Sequence, residues 1–98
     1  MKIMHLISGG DVGGAKTHVL SLLKGLGQTQ TVRLVCFTGG AFADEALEMG
    51  IDTLVMDCGV PEAVRRLSAM IAGEGFEIVH CHGARANMMG AILRRKIR

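Results

Sequence analysis

Aromatic side chains are almost missing from this chain, which has three Phe, no Trp and no Tyr. A core built on rings is therefore excluded, and so is a surface that stacks bases or sugars on aromatic faces. Nucleic acid is not an expected partner. Proline occurs once, at Pro61. The three cysteines, Cys36, Cys58 and Cys81, form no C-x-x-C pair. Odd in number and set in apolar runs, they read as reduced, buried thiols of an intracellular protein. No stretch approaches the ~18 continuous apolar residues of a membrane span. The start, "MKIMHLIS", is followed by no small-residue cleavage site and reads as a first strand rather than a leader. A cytoplasmic location is the expectation.

What remains is a chain of 98 residues, 49% hydrophobic and only 20% charged. That length predicts one domain spanning 1–98, with a modest core of Leu, Ile, Val, Met and Ala. The net charge of +2 is uneven. Residues 1–60 hold four Lys/Arg and six Asp/Glu, whereas residues 61–98 hold seven and three, ending in "LRRKIR". Such an end complements the dipole of a helix C-terminus. It also suits peripheral contact with an anionic membrane face.

Short apolar runs at 2–8, 31–37, 51–57 and 77–82 have strand length and few polar interruptions. Segments with helical spacing lie between them. Val19, Leu22, Leu23 and Leu26 form one stripe, and Gly25 and Gly27 close it. Ala43, Ala46 and Leu47 form a second, closed by Gly50. Val64, Leu67 and Ile71 form a third behind Pro61, and Met88, Met89, Ile92 and Leu93 a fourth. The order β-α-β-α-β-α-β-α predicts an α/β fold: a Rossmann-like, three-layer parallel sheet of about four strands. Ligands in such sheets bind at the carboxyl ends of the strands. So few strands leave two open edges, and a part of a larger protein, or a subunit that pairs its sheet edge with another copy, is expected.

The loop behind the first run, "GGDVGGAKTH", holds Gly9, Gly10, Gly13 and Gly14 directly before a helix. Unpaired helix N–H groups and the macrodipole make such a turn suited to phosphate. A P-loop would use Lys16 on phosphate, with Thr17 and Asp57 on Mg²⁺. However, Ala15 stands where that pattern requires glycine. The G-x-G-x-x-G dinucleotide fingerprint is absent as well. Asp11 would repel phosphate but accept hydrogen bonds from sugar hydroxyls.

In "IVHCHGARAN", His80 and His82 share one face of a strand and Cys81 takes the other. His80 reads as buried and bonded to backbone. His82, at the strand end, and Arg85, just beyond it, are candidates to meet an anionic or hydroxylated ligand. His5 reads as core, and His18 lies near the mouth of the glycine loop. No third ligand stands at a fixed spacing from the two histidines, His5, Asp57 and Cys58 being candidates by topology alone, so no metal site and no cofactor are expected. No catalytic Ser-His-Asp or paired-carboxylate pattern is present.

Two of these motifs carry a resemblance. "MKIMHLISGGDVGGAKTHVLSLLKGL" is similar to the opening of GT-B glycosyltransferases of the retaining group called family four, with its "GG" turn, "GGA-x-x-H/R-V-L" helix start and leucine-rich helix. "GFEIVHCHGARANMMGAIL" resembles their later "D-[IV]-[IV]-H-x-H" strand and the helix behind it. The resemblance implies an enzyme that moves a sugar from a nucleotide-sugar donor to a glycan, lipid or cell-envelope acceptor. It implies Gly13 and Gly14 at the donor diphosphate, and Asp11, His82 and Arg85 on the acceptor side. Lys16 departs from the usual Glu or Gln, and Glu77 from the frequent aspartate. The histidine-bearing next strand and the nucleotide-holding C-terminal domain of that family are not in these residues. No catalytic residue is expected in this segment, which would not act alone. A non-catalytic phosphate- or nucleotide-binding module, or a P-loop-like NTPase fragment, is the alternative.

Overall fold

The computed structural model describes residues 2–8 and 14–97, with the side chains of 15–18, 84, 85 and 95–97 left aside. Within them, four strands alternate with four helices. The elements are β1 (Lys2–Ile7), α1 (Gly14–Leu26), β2 (Thr31–Cys36), α2 (Ala41–Glu48), β3 (Asp52–Val55), α3 (Val60–Glu74), β4 (Ile78–His82) and α4 (Ala84–Ile97). All strand pairs are parallel, in the order β3-β2-β1-β4. The expected α/β sheet is therefore present.

The side-chain period of two sorts the strands into two cores. Met4, Leu6 and Val35 face α3 and α4, where they meet Val64, Leu67, Ile71, Ala86, Met89 and Leu93. Ile7, Val32, Leu34 and Cys36 face α1 and α2, where they meet Leu20, Leu23, Phe42, Ala43 and Ala46. This gives three layers. Pro61 in the first turn of α3 fits the helix start, where its missing N–H is no loss. Gly75 ends α3 in the left-handed region at φ 74°, and its N–H bonds the Ile71 carbonyl. At the amino ends of the strands, Arg33 bridges Asp52 at 3.0 Å and Glu74 at 2.8 Å. No disulfide forms among the described residues; Cys36 is buried, and Cys58 and Cys81 are partly so.

Three residues of the expected stripes face solvent instead: Leu22, Leu47 and Met88. Leu20, Phe42 and Ala86 are buried in their helices. The helix angle is set by the sheet beneath, and each helix carries more apolar residues than one contact face can cover. β3 is also shorter than the 51–57 run. Met56 leaves the strand, though its N–H still reaches the Cys36 carbonyl at 2.7 Å.

Candidate functional site

The strand order places a switch point between β1 and β4. From β1 the chain moves outward to β2 and β3, then crosses to the other side of β1. The helices that follow β1 and β4, α1 and α4, pack on opposite faces of the sheet, and such a point is where open α/β sheets bind ligands. α1 begins at Gly14 just beyond β1, and His82 ends β4 in register with Ile7, the last residue of β1. Gly14, which opens the helix behind β1, and His82, which ends the adjacent β4, thus belong to the carboxyl side of neighbouring strands. Gly83 turns the chain into α4 at φ 95°, a conformation that favours glycine, and its carbonyl accepts the Asn87 N–H at 2.9 Å. Arg85 is the second residue of α4. Its side chain, together with Gly13 and Asp11, lies outside the described residues.

Three imidazoles meet at this junction. His5 pairs with His80 across the β1–β4 ladder, and His82 follows two residues later on the same face. His5 Nδ1 lies 3.0 Å from His82 Nε2. The His80 and His82 rings stack at 4.4 Å, and each lies 5.2 Å from the His5 ring. His5 is 1% exposed, and its Nε2 has no partner. Burial, with His82 and His80 adding to it, pushes its pKa down to about 4. Burial, and then His80, also holds His82 below the ordinary histidine value. A buried imidazole favours its neutral form because charge is poorly solvated there.

His5 is in the core, as its apolar surroundings predicted, but His80 is exposed rather than buried. β4 is an edge strand, and the core on its His80 face is built from α1 and α2 over β1 and β2. Ile78, on the same face, is exposed too. Cys81 faces the other way, under α4, where burial raises its thiol pKa and a backbone hydrogen bond with Gly90 works against the rise. The sequence pattern found His80 and His82 as a pair. His5 is one of three candidates for a third member, beside Asp57 and Cys58, and only strand register, which pairs residues 75 positions apart, selects it.

Asp57 follows β3, and β2 lies between β3 and β1, so the two strands stand about 10 Å apart. Two cavities lie away from the histidines. One, of about 460 Å³, opens at the amino ends of the strands beside Gln30 and Asp52. The other, of about 640 Å³, lies between α3 and α4 beside Ser68 and Ile92.

Topology defines the class: a Rossmann-like, parallel α/β sheet with a switch point between β1 and β4. No family model matches the chain, and no curated protein matches it. Among solved structures, a glycosyltransferase from Rickettsia africae ESF-5 superimposes with a TM-score of 0.79 at 17% identity. The match covers 99% of this chain and 27% of that one. The likeness is one of fold, and the chain spans about a quarter of its neighbour's length.

Proposed function

We propose that the chain is the acceptor-side portion of a GT-B glycosyltransferase of the retaining family-four type. It would act with a second, nucleotide-holding Rossmann-like half in the same protein or a partner subunit. The observation that carries this reading is the shared edge: the α1 start at Gly14 and the β4 end at His82 flank one switch point. The fold likeness along the whole chain supports it.

In this reading the backbone N–H groups around Gly13 and Gly14 approach the donor diphosphate, where the positive end of α1 favours anionic oxygens. Asp11, His82 and Arg85 line the acceptor cleft. Asp11 accepts hydrogen bonds from sugar hydroxyls, neutral His82 can donate or accept one, and Arg85 suits a phosphate on a lipid or envelope acceptor. Among the described residues no helix is long and apolar enough to cross a membrane. A cytoplasmic protein with peripheral contact at the inner membrane face fits a lipid-borne acceptor. Self-association through the open β4 edge is the counterpart for a protein lacking that second half.

The test is made on the longer reading frame that contains this segment. Incubation with a panel of nucleotide-sugars is expected to release nucleoside diphosphate in the presence of acceptor. Gly14→Val, which puts a branched side chain where phosphate approaches, is expected to lower that rate by tenfold or more, about 1.4 kcal/mol. Absence of any second Rossmann-like half, in the chain or a partner, would refute the enzyme reading. Nucleoside diphosphate binding by calorimetry without turnover would leave the non-catalytic phosphate-binding module in its place.

A further inference from the structure

We propose that His5, His80 and His82 together hold a divalent transition-metal ion of the zinc type. One potential ligand atom from each residue falls within a span of 4.8 Å. The chain has four histidines, and three of them converge on this point although they come from two strands and opposite ends of the sequence. His5 is buried, so the cluster is not a set of surface side chains that merely lie close.

The distances fit the chemistry. Two nitrogens on one tetrahedral ion at ~2.0–2.1 Å stand about 3.3 Å apart. His5 Nδ1 and His82 Nε2 already stand at 3.0 Å. The third nitrogen must close in by roughly 1.5 Å to reach that spacing. His80 is exposed and free to change rotamer, so it supplies this motion without moving the backbone. The donor set selects the ion. Three imidazoles and no carboxylate suit zinc, copper or nickel, whereas magnesium and calcium require oxygen ligands. Cys81 faces the opposite core, and Cys58 follows β3, separated from β4 by two strands. No thiolate therefore belongs to the set. Three protein ligands leave a position open for water or an oxygen of a ligand at the carboxyl edge. His82 then serves both readings, as a metal ligand and as part of the cleft wall.

The proposal stands apart from sugar transfer because its probe is the metal alone. The chain, without an affinity tag and with its thiols reduced, is stripped by a chelator and titrated with Co²⁺, then with Zn²⁺. The expected result is one equivalent of cobalt giving the visible bands of a four- or five-coordinate nitrogen site. No sulfur-to-metal charge-transfer band should accompany them, and zinc should displace the cobalt. His80→Ala, at an exposed position that folding tolerates, is expected to weaken zinc binding by roughly tenfold or more, the loss that even an outer partner of a metal ligand causes. Nitrogen-15 imidazole spectra should show three of the four histidines shifting on zinc addition. The proposal is overturned by no cobalt bands and no zinc heat up to about 1 mM. It is also overturned by binding that His80→Ala leaves unchanged, or by a sulfur charge-transfer band.

Discussion

Gly90 lies in the middle of α4, where glycine is usually a weakness. Replacing it with alanine in an ordinary helix interior stabilises by about 0.8–1 kcal/mol. Here the outcome should reverse. A Cβ built on Gly90 falls 2.5 Å from Cys81 Sγ and 3.9 Å from Cys81 Cβ. Ordinary contacts begin near ~3.5 Å, so the new methyl intrudes by about 1 Å. Sγ is two bonds from the backbone of β4, with a single side-chain torsion, and packs against the α3–α4 core, so it cannot swing far. Overpacking of this kind costs about 1–3 kcal/mol. Set against the propensity gain, the net expectation for Gly90→Ala is a loss of about 1 kcal/mol, or roughly 4–8 °C in Tm for a domain of this size. Gly73 supplies the contrast: it is also helical, but a Cβ there meets nothing within 4 Å. Gly73→Ala should raise stability by about 1 kcal/mol. In a Cys81→Ala background the obstacle is gone, and Gly90→Ala should then stabilise too, giving a coupling of about 2 kcal/mol in a double-mutant cycle. Urea denaturation of the four variants measures it. A gain for Gly90→Ala alone equal to that of Gly73→Ala would refute the steric argument.

Two further predictions concern the core and the histidines. Leu34→Ala empties a fully buried position on β2 between the sheet and the α1–α2 layer; it should cost about 2–5 kcal/mol, read as a drop in urea midpoint at unchanged slope. The metal-free chain should lose stability in acid. His5 has its folded pKa lowered from 6.5 to about 4, so its contribution is complete above pH 6.5 and is lost as pH falls through that window. The difference approaches about 3 kcal/mol near pH 4. Denaturant midpoints taken between pH 7 and 4 check this, and a profile identical to that of His5→Leu would show that His5 is not the group responsible.

The order of elements could be read directly from the residues because each local signal agrees with the fold. β2 is "TVRLVC" and alternates between two covered faces. α3 has proline at its start, glycine at its end and Val64, Leu67 and Ile71 on one side. Which side of a helix is buried was less readable. "AFADEALE" offers Phe42, Ala43, Ala46 and Leu47, and α2 buries the first three. Leu47 is as apolar as any of them, yet its angle on the helix turns it to solvent. The same holds for Leu22 and Met88. Of the candidate site, the sequence identified His82 and the start of α1. It offered His5 beside Asp57 and Cys58 as a third ligand by topology but did not single out the triad, for two physical reasons. Register between β1 and β4 is a property of the assembled sheet, and the pairing of His5 with His80 is written nowhere in local spacing. The exposure of His80 depends on which helices cover an edge strand, and periodicity reports only which residues share a face.

His5 is the residue that makes this edge unusual. Its neighbours on the same face of β1 are Ile3 and Ile7, and a third aliphatic side chain would bury there without a polar atom to satisfy. The imidazole instead leaves Nε2 buried and unpartnered, at a cost of about 1–3 kcal/mol. It also stands against two further imidazoles that disfavour its protonation. For a chain of 98 residues, whose stability margin is a few kcal/mol, that is a large concession. The same nitrogen-rich group at a strand's amino end, away from the switch point, would have nothing to act on. At the β1–β4 junction it sits directly beneath the edge where α1 begins and the Gly83 turn opens. The local conflict between burial and polarity thus falls where the topology independently puts ligand binding. That coincidence is the physical ground for reading the triad as a site rather than as a defect of packing.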